Sequence, residues 1–577
     1  MAVYTVEKNI LTLISLLKQH GVSDIIASPG ATNVSFVASV QSDPFFNVIS
    51  CVDERSAAYM ACGIAAETKK PVVLTCTGAT ASRNYAPGLT EAYYRKLPVI
   101  AITATQHLGR VGQNVAQVLD RSQQFKDLVK KSIQLYEVHT TDDAWACNIA
   151  VNDAILESMR DGGGPVHINM VTNYSNDFSA KELPDERKIE RLTYTDEIPE
   201  IKESEVAIFI GSHLRFSDEL TAKIEEFCEK YNGVVLCDHP SGYHGKYKIL
   251  PNLVTMQLDA GEYKKVNFLI DLGEVSGIYA ALKPKKVWRV SQDGNVRDTF
   301  KKLVKVFEMD ELTFFERMNT LKDSKVETTY YNKWHQKFEE LDNKLCSVEL
   351  PFSNPWIVRQ VAPRLSNGDK AHLSILNTLR SWDLCEVEAD VDFYSNTGGF
   401  GIDGVMSTAV GDSLVTNQKV YCFIGDLAFF YDLNSIGNKN VGNNLRILLV
   451  NNGCGTEFHN FNHRAATISK ENNLSSEYFA ADGHFGNKSR NLVKHYAEDL
   501  GFEYLSASNK QEFKKNLEKF TAKTSRKPIL FEVFTDSKDE SDALNMIYHL
   551  EKDAVKTVIN KVLGTKGKKI VKKILRK

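Results

Sequence analysis

The run Val420-Tyr421-Cys422-Phe423-Ile424 is apolar without alternation and stops abruptly at Gly425-Asp426, the pattern of a strand buried on both faces. Strands of that kind belong to parallel sheets covered by helices on each side, so this segment points to an α/β architecture. Phe429, Phe430, Leu433 and Ile436 follow at roughly helical spacing, and Leu445 to Val450 supplies a second strand that ends at Asn451-Asn452. Two strand ends thus carry a carboxylate and an amide to one sheet edge, where open α/β sheets bind their ligands.

A carboxylate at Asp426, an amide oxygen at Asn452 and carbonyls of the turn Gly453-Cys454-Gly455 make an all-oxygen donor set of the kind Mg²⁺ takes, usually shared with phosphate. The helix start after Gly425 adds free N–H groups for phosphate oxygens. Gly-Asp alone is a weak motif, since a polar turn after an ordinary strand looks the same; the ordered pair of strands gives it weight.

The chain has 577 residues, too many for one core, and its net charge of −3 with 43% hydrophobic residues describes an ordinary globular protein with no expected nucleic-acid partner. The N-terminus lacks a basic segment followed by an apolar core and cleavage site, and ten scattered cysteines without a CxxC pair read as reduced thiols, so a cytoplasmic location is expected. Strands and helices alternate in three blocks, predicting three doubly wound parallel sheets at 1–178, 205–342 and 350–540, with a charged, proline-containing linker from Asn173 to Glu205. Within the first block, the strand-like Asn47 to Val52 ends at Asp53-Glu54-Arg55, and the following helix opens with Ser56-Ala57-Ala58. Glu54 therefore stands at a strand-to-helix junction, where an acid also serves as a plain dipole-stabilised end group.

Together these features resemble the thiamine diphosphate-dependent enzymes of the 2-oxoacid decarboxylase and acetolactate synthase type. The likeness is strongest to the menaquinone-pathway synthases, which join a 2-oxoglutarate-derived unit to isochorismate. It is carried by Ser28-Pro29-Gly30, Asp53-Glu54-Arg55, Thr77-Gly78 through Tyr94, Ser395 to Gly398, Gly401-Ile402-Asp403-Gly404, and Gly425-Asp426-Leu427 with Tyr431 to Asn434. The resemblance implies three domains (pyrimidine-binding, central and diphosphate-binding), the cofactors thiamine diphosphate and Mg²⁺, and a homodimer or homotetramer whose sites draw on two chains. It implies Glu54 as the acid at the aminopyrimidine ring, Ile402 as the wedge that bends the cofactor, and Gly401 as the carbonyl that holds its amino group. Asp426, Asn452 and the Cys454 carbonyl are implied as metal ligands. Pro29, Asn84, Gly425, Leu427, Ala428, Gly455 and Phe458 are further implied cofactor contacts, and Gln117 is implied to reach the substrate.

Departures bear on the substrate, a 2-oxoacid donor with an acceptor still to be identified. Where the synthases have Ser-Arg-Ser this chain has Ala31-Thr32-Asn33, their Asn-Arg-Gly becomes Asn396-Thr397-Gly398, and a further arginine falls near Trp382, with Arg380 a displaced substitute. Lost arginines remove charge-assisted hydrogen bonds of about 1.5 to 3 kcal/mol each, which argues against isochorismate. Glu457, His459 and His107 are candidate acid/base groups, and Arg83 a candidate anion contact. The expected reaction is decarboxylation of a 2-oxoacid with transfer of the acyl-anion equivalent to an acceptor. Simple decarboxylation and a non-catalytic cofactor-binding homologue are the alternatives. The middle block has only Gly211-Ser212-His213 after its first strand, so it reads as structural. From residue 551 onward lysines alternate with apolar residues, describing either a basic amphipathic helix for weak contact with an anionic membrane surface or a solvated tail.

Overall fold

The computed structural model describes residues 2–257, 260–483 and 489–551, so the basic tail lies outside the described residues past Glu551. The described chain divides into two compact units, Met1–Thr195 with Gly294–Glu308, and Asp196–Asp293 with Met309–Lys577.

In the first unit six strands, β1 (Asp24–Ala27), β2 (Asn47–Ser50), β3 (Val72–Cys76), β4 (Val99–Thr105), β5 (Lys131–Leu135) and β6 (Val166–Val171), pair in parallel in the order β2-β1-β3-β4-β6-β5. The chain winds outward from β1 to β2 and then back past β1 to β3, which puts a topological switch point between β1 and β3. One face is covered by the helix Lys8–Gln19, whose Ile10, Leu13, Leu16 and Leu17 are fully buried. The other is covered by the helix Glu54–Thr68, and its small residues have a packing reason. A Cβ on Gly88 would lie 2.4 Å from the Cβ of Ala58, so this helix and Ala86–Tyr94 approach too closely for larger side chains. Also in this unit, β7 (Glu190–Thr193) pairs in parallel with β13 (Leu303–Glu308), so part of the expected linker is a strand.

In the second unit β8 (Val206–Ile210), β9 (Gly233–Cys237), β10 (Lys248–Ile249), β11 (Lys265–Leu272) and β12 (Lys283–Val290) run in parallel in the order β10-β9-β8-β11-β12. A further parallel sheet has the order β15-β14-β16-β17-β19-β18, formed by β14 (Lys370–Leu373), β15 (Asp392–Tyr394), β16 (Val420–Gly425), β17 (Leu445–Asn451), β18 (Glu503–Ala507) and β19 (Ile529–Phe534). Its switch point lies between β14 and β16, beside the end of the Val420 run. Val420 to Ile424 are all buried, as an uninterrupted apolar strand requires. The helix expected after Gly425 forms in two pieces, an α-helix Asp426–Tyr431 and a 3-10 turn Leu433–Gly437. Asp432 divides them: its carboxylate accepts the backbone N–H and the hydroxyl of Ser407, and its backbone leaves the helical region (φ −117°). Among the described residues no helix is long and apolar enough to cross a membrane.

Glu540, 3% exposed on the helix Ser537–Tyr548, ties the two ends of this last sheet region together by accepting the Asn354 backbone N–H and the Thr535 hydroxyl, each at 2.8 Å. Burial pushes its carboxyl up from the ordinary 4.5 to about 7. Between those values the folded chain keeps a proton that the unfolded chain has released, so stability is lost as pH rises through the window, by on the order of 3 kcal/mol. Thermal melts across this pH range are expected to show that slope in the native chain and a flatter one in Glu540→Gln.

Candidate active site

At the edge of the last sheet, β16 delivers Asp426 and β17 delivers Asn452 to the same point. Asp426 is 2% exposed; its Oδ2 accepts the backbone N–H groups of Asn452 (3.1 Å) and Gly453 (2.5 Å), and its Oδ1 accepts that of Leu427 (2.7 Å). Gly453 has φ +80°, the left-handed conformation that turns the chain so that Cys454 and Gly455 follow directly. A Cβ on Gly455 would lie 3.0 Å from the Phe458 ring, so glycine here lets that ring close over the turn. Behind the edge, buried Glu532 receives the Asn451 amide and the Tyr504 hydroxyl, both at 2.7 Å, and burial raises its carboxyl. Gly425, Leu427 and Ala428 form the first turn after β16, with Ala428 buried. Gly401 and Ile402 precede the helix Val405–Ser413, and half-buried Ile402 packs against the core that contains Val405 and Met406.

Two candidate acid/base groups in this unit have partners. Glu457 receives Arg380 in a two-pronged ion pair, Nη1 to Oε2 and Nη2 to Oε1 both at 2.8 Å, and Asn377 and Asn460 complete the network. Arg380 feels burial first, which disfavours its charge, but the Glu457 bonds outweigh this and raise its pKa. His459 Nε2 lies 2.9 Å from Asp482 Oδ1. The arginine position near Trp382 is core: Trp382 packs against Phe423 and Phe393 with ring centroids 4.6 and 5.4 Å apart. Because Arg380 and Glu457 side chains are only 20% and 17% exposed, Arg380→Met leaves a largely buried carboxylate without its cation. A loss of on the order of 3 kcal/mol in denaturant unfolding is expected, with part recovered in the double variant with Glu457→Gln.

In the first unit Glu54 opens its helix, with Asp53 as the cap that accepts the Arg55 N–H, and Glu54 Oε2 lies 3.4 Å from the Asn84 amide nitrogen. Pro29 is exposed after β1, at the switch point, where Gly30 approaches the Thr77 side chain so closely that a Cβ would stand 2.4 Å from it. Thr32 is buried, its hydroxyl bonded to Thr77 Oγ1 (2.6 Å) and the Ala104 carbonyl (3.2 Å). Gln117 is exposed with φ +65°, and a Cβ on Gly78 would lie 2.7 Å from its carbonyl oxygen. His107 is exposed and its Nδ1 accepts the Gly109 N–H, so that nitrogen serves a local turn. Arg83 donates to the Asp120 carbonyl at 3.2 Å. Sequence reasoning missed Arg121, 2% exposed, which donates from Nη2 to the Ala104 carbonyl (3.0 Å) while Nε and Nη1 have no protein partner; burial pushes it down to about 10. It also missed Asp482, which no motif marks.

A profile of the family described as thiamine pyrophosphate enzyme, N-terminal TPP binding domain, matches residues 11–124, a span that contains Pro29, Glu54, Asn84 and Gln117. Over most of its length the chain is similar to the 2-succinyl-5-enolpyruvyl-6-hydroxy-3-cyclohexene-1-carboxylate synthase of Phocaeicola vulgatus, with 30% identity over 571 residues that cover 95% of this chain and 99% of that protein. The chain belongs to the thiamine pyrophosphate enzymes. Proteins with the same name from Bacteroides thetaiotaomicron and Flavobacterium johnsoniae are 30% and 27% identical over 95% and 94% of this chain. The resemblance read from the motifs and the α/β class with parallel sheets both hold. For a thiamine pyrophosphate enzyme the donor chemistry at the β16 and β17 ends fits: a buried carboxylate lies against a turn whose residues carry an amide oxygen and backbone carbonyls, all hard oxygen donors.

Proposed function

We propose that this chain is a thiamine diphosphate- and Mg²⁺-dependent enzyme that decarboxylates a 2-oxoacid and transfers the acyl-anion equivalent to an acceptor. The observation that carries the reading is the junction of Asp426 with the backbone amides of Asn452 and Gly453 at the ends of two adjacent parallel strands. In this reading Asp426, Asn452 and the Cys454 carbonyl hold Mg²⁺, the first turn after Gly425 receives the diphosphate, and Glu54 holds the proton at the aminopyrimidine ring. Bound thiamine diphosphate supplies a stabilised carbanion and an electron sink for the bond to CO₂. Ile402 braces the bound group from the core side, and Gln117 faces the substrate. The reading carries with it a homodimer or homotetramer in which one site draws Glu54 and Asp426 from different chains.

Transfer is favoured over simple decarboxylation because the full-length relatives are named as synthases. Isochorismate is disfavoured as the acceptor. Thr32 and buried Thr397 offer no charge, Trp382 is packed in the core, and the guanidinium fork of Arg380 is filled by Glu457. An uncharged acceptor, or one charged elsewhere, suits these groups better. The test is CO₂ release from a panel of 2-oxoacids with thiamine diphosphate and Mg²⁺, followed by mass spectrometry of products formed with aldehydes, ketones and isochorismate. CO₂ release with a ligated product from an acceptor other than isochorismate is expected. No release from any donor would overturn the reading, and efficient use of isochorismate would overturn its acceptor clause.

A further inference from the structure

Beside the oxygen donors assigned to Mg²⁺ stands a second set of ligands with different chemistry. Cys454 Sγ, His459 Nε2 and a carboxylate oxygen of Asp482 lie within 4.8 Å of one another. Three local devices bring them together. Gly453 in its left-handed conformation turns Cys454 off the end of β17, and the 3-10 turn Thr456–His459 returns His459 toward it. The segment bearing Asp482 is fastened to the same turn by two backbone bonds, Gly455 N–H to the Ala480 carbonyl (2.5 Å) and Gly483 N–H to the Gly453 carbonyl (3.3 Å). Ser476 donates to the remaining Asp482 oxygen at 2.5 Å, which fixes the carboxylate with one oxygen toward His459. No CxxC or His-x-His spacing announces this grouping, because Cys454 and Asp482 are brought together only by the fold.

We infer that Cys454, His459 and Asp482 form a binding site for a borderline-soft divalent transition metal, of which Zn²⁺ is the representative, distinct from the Mg²⁺ position. Metal–ligand bonds of about 2.0 to 2.3 Å place tetrahedral ligand atoms roughly 3.3 to 3.8 Å apart. The His459–Asp482 pair at 2.9 Å therefore opens slightly to take up the ion, and the sulfur stands within 4.8 Å of both other ligand atoms. One thiolate, one neutral imidazole and one carboxylate neutralise a divalent cation, so Mg²⁺ beside the neighbouring Cys454 carbonyl meets little added charge. The sulfur and nitrogen donors select against Mg²⁺, which demands oxygen, and the oxygen set at Asp426 selects the reverse. On binding, the Cys454 S–H bond gives way to a sulfur–metal bond and the proton passes to solvent. The inference needs no thiamine diphosphate and stands apart from the reading above.

The probe is Co²⁺, which occupies zinc-type sites and reports sulfur ligation by a thiolate-to-metal charge-transfer absorption. Full-length protein, freed of metal and titrated with Co²⁺, is expected to show that absorption at one equivalent. Zn²⁺ should displace it and a large excess of Mg²⁺ should not. Cys454→Ser should abolish the absorption, while His459→Ala and Asp482→Asn should each weaken Co²⁺ binding by roughly a hundredfold. Circular dichroism melts of the three variants establish that they are folded. Absence of the band in the native chain, its persistence in Cys454→Ser, displacement by Mg²⁺, or unchanged affinity in both other variants would overturn the site.

Discussion

Glu54→Gln is expected to lower the rate of CO₂ release by two to four orders of magnitude, the range in which a positioned acid or base contributes to proton transfer. The substitution keeps the shape of the side chain and the start of its helix, because Asp53, not Glu54, caps Glu54–Thr68 by accepting the Arg55 N–H. It also spares the close contact at Ala58 and Gly88 that seats this helix. Stability should therefore change by less than about 0.5 kcal/mol, as for other surface-side replacements. A large loss of rate with an unchanged melt assigns the effect to the carboxyl group. Full activity in the variant would remove Glu54 from the mechanism.

Asp426→Ala is expected to have a comparable effect by another route. The carboxylate accepts three backbone N–H groups, buried at Gly453 and part-buried at Leu427 and Asn452, and alanine removes their shared acceptor. Each unsatisfied group costs about 1 to 3 kcal/mol, so the turn itself should loosen. Asp426→Asn removes the charge while keeping one of the two acceptor oxygens. Its NH₂ group takes the place of one acceptor oxygen, so at least one of the three N–H groups loses its partner, and the missing charge, worth about 1.5 to 3 kcal/mol, corresponds to a roughly tenfold to hundredfold higher Mg²⁺ requirement. Activity in Asp426→Asn should recover partly at high Mg²⁺, and activity in Asp426→Ala should not.

The strands were the most legible part of the chain. Val420–Gly425 and Leu445–Asn451 form as the apolar runs predict, because a strand buried on both faces has few polar side chains to blur its ends. The helix after Gly425 was less legible, since its periodicity continues through Leu433 and Ile436 while a distant side chain, Ser407, captures Asp432 and interrupts the backbone. The same limit applies to the site. Asp426 and Asn452 could be paired from sequence because both are fixed to strand ends. Arg380 and Glu457 appeared as separate candidates, one an anion contact and the other an acid/base group, and only the fold joins them across 77 residues into one ion pair. Asp482 and Arg121 carry no local pattern at all: their significance lies in the partners gathered around the Asp482 carboxylate and lacking around the buried Arg121 guanidinium.

The most direct measurement is a calorimetric titration of thiamine diphosphate into the full-length chain, first with Mg²⁺ and then with a chelator in its place. Saturable binding that requires Mg²⁺ and is lost in Asp426→Ala is the expected result. No binding in the presence of Mg²⁺, or equal binding in chelator, would contradict the assignment of Asp426 and Asn452 to the metal and with it the proposed chemistry.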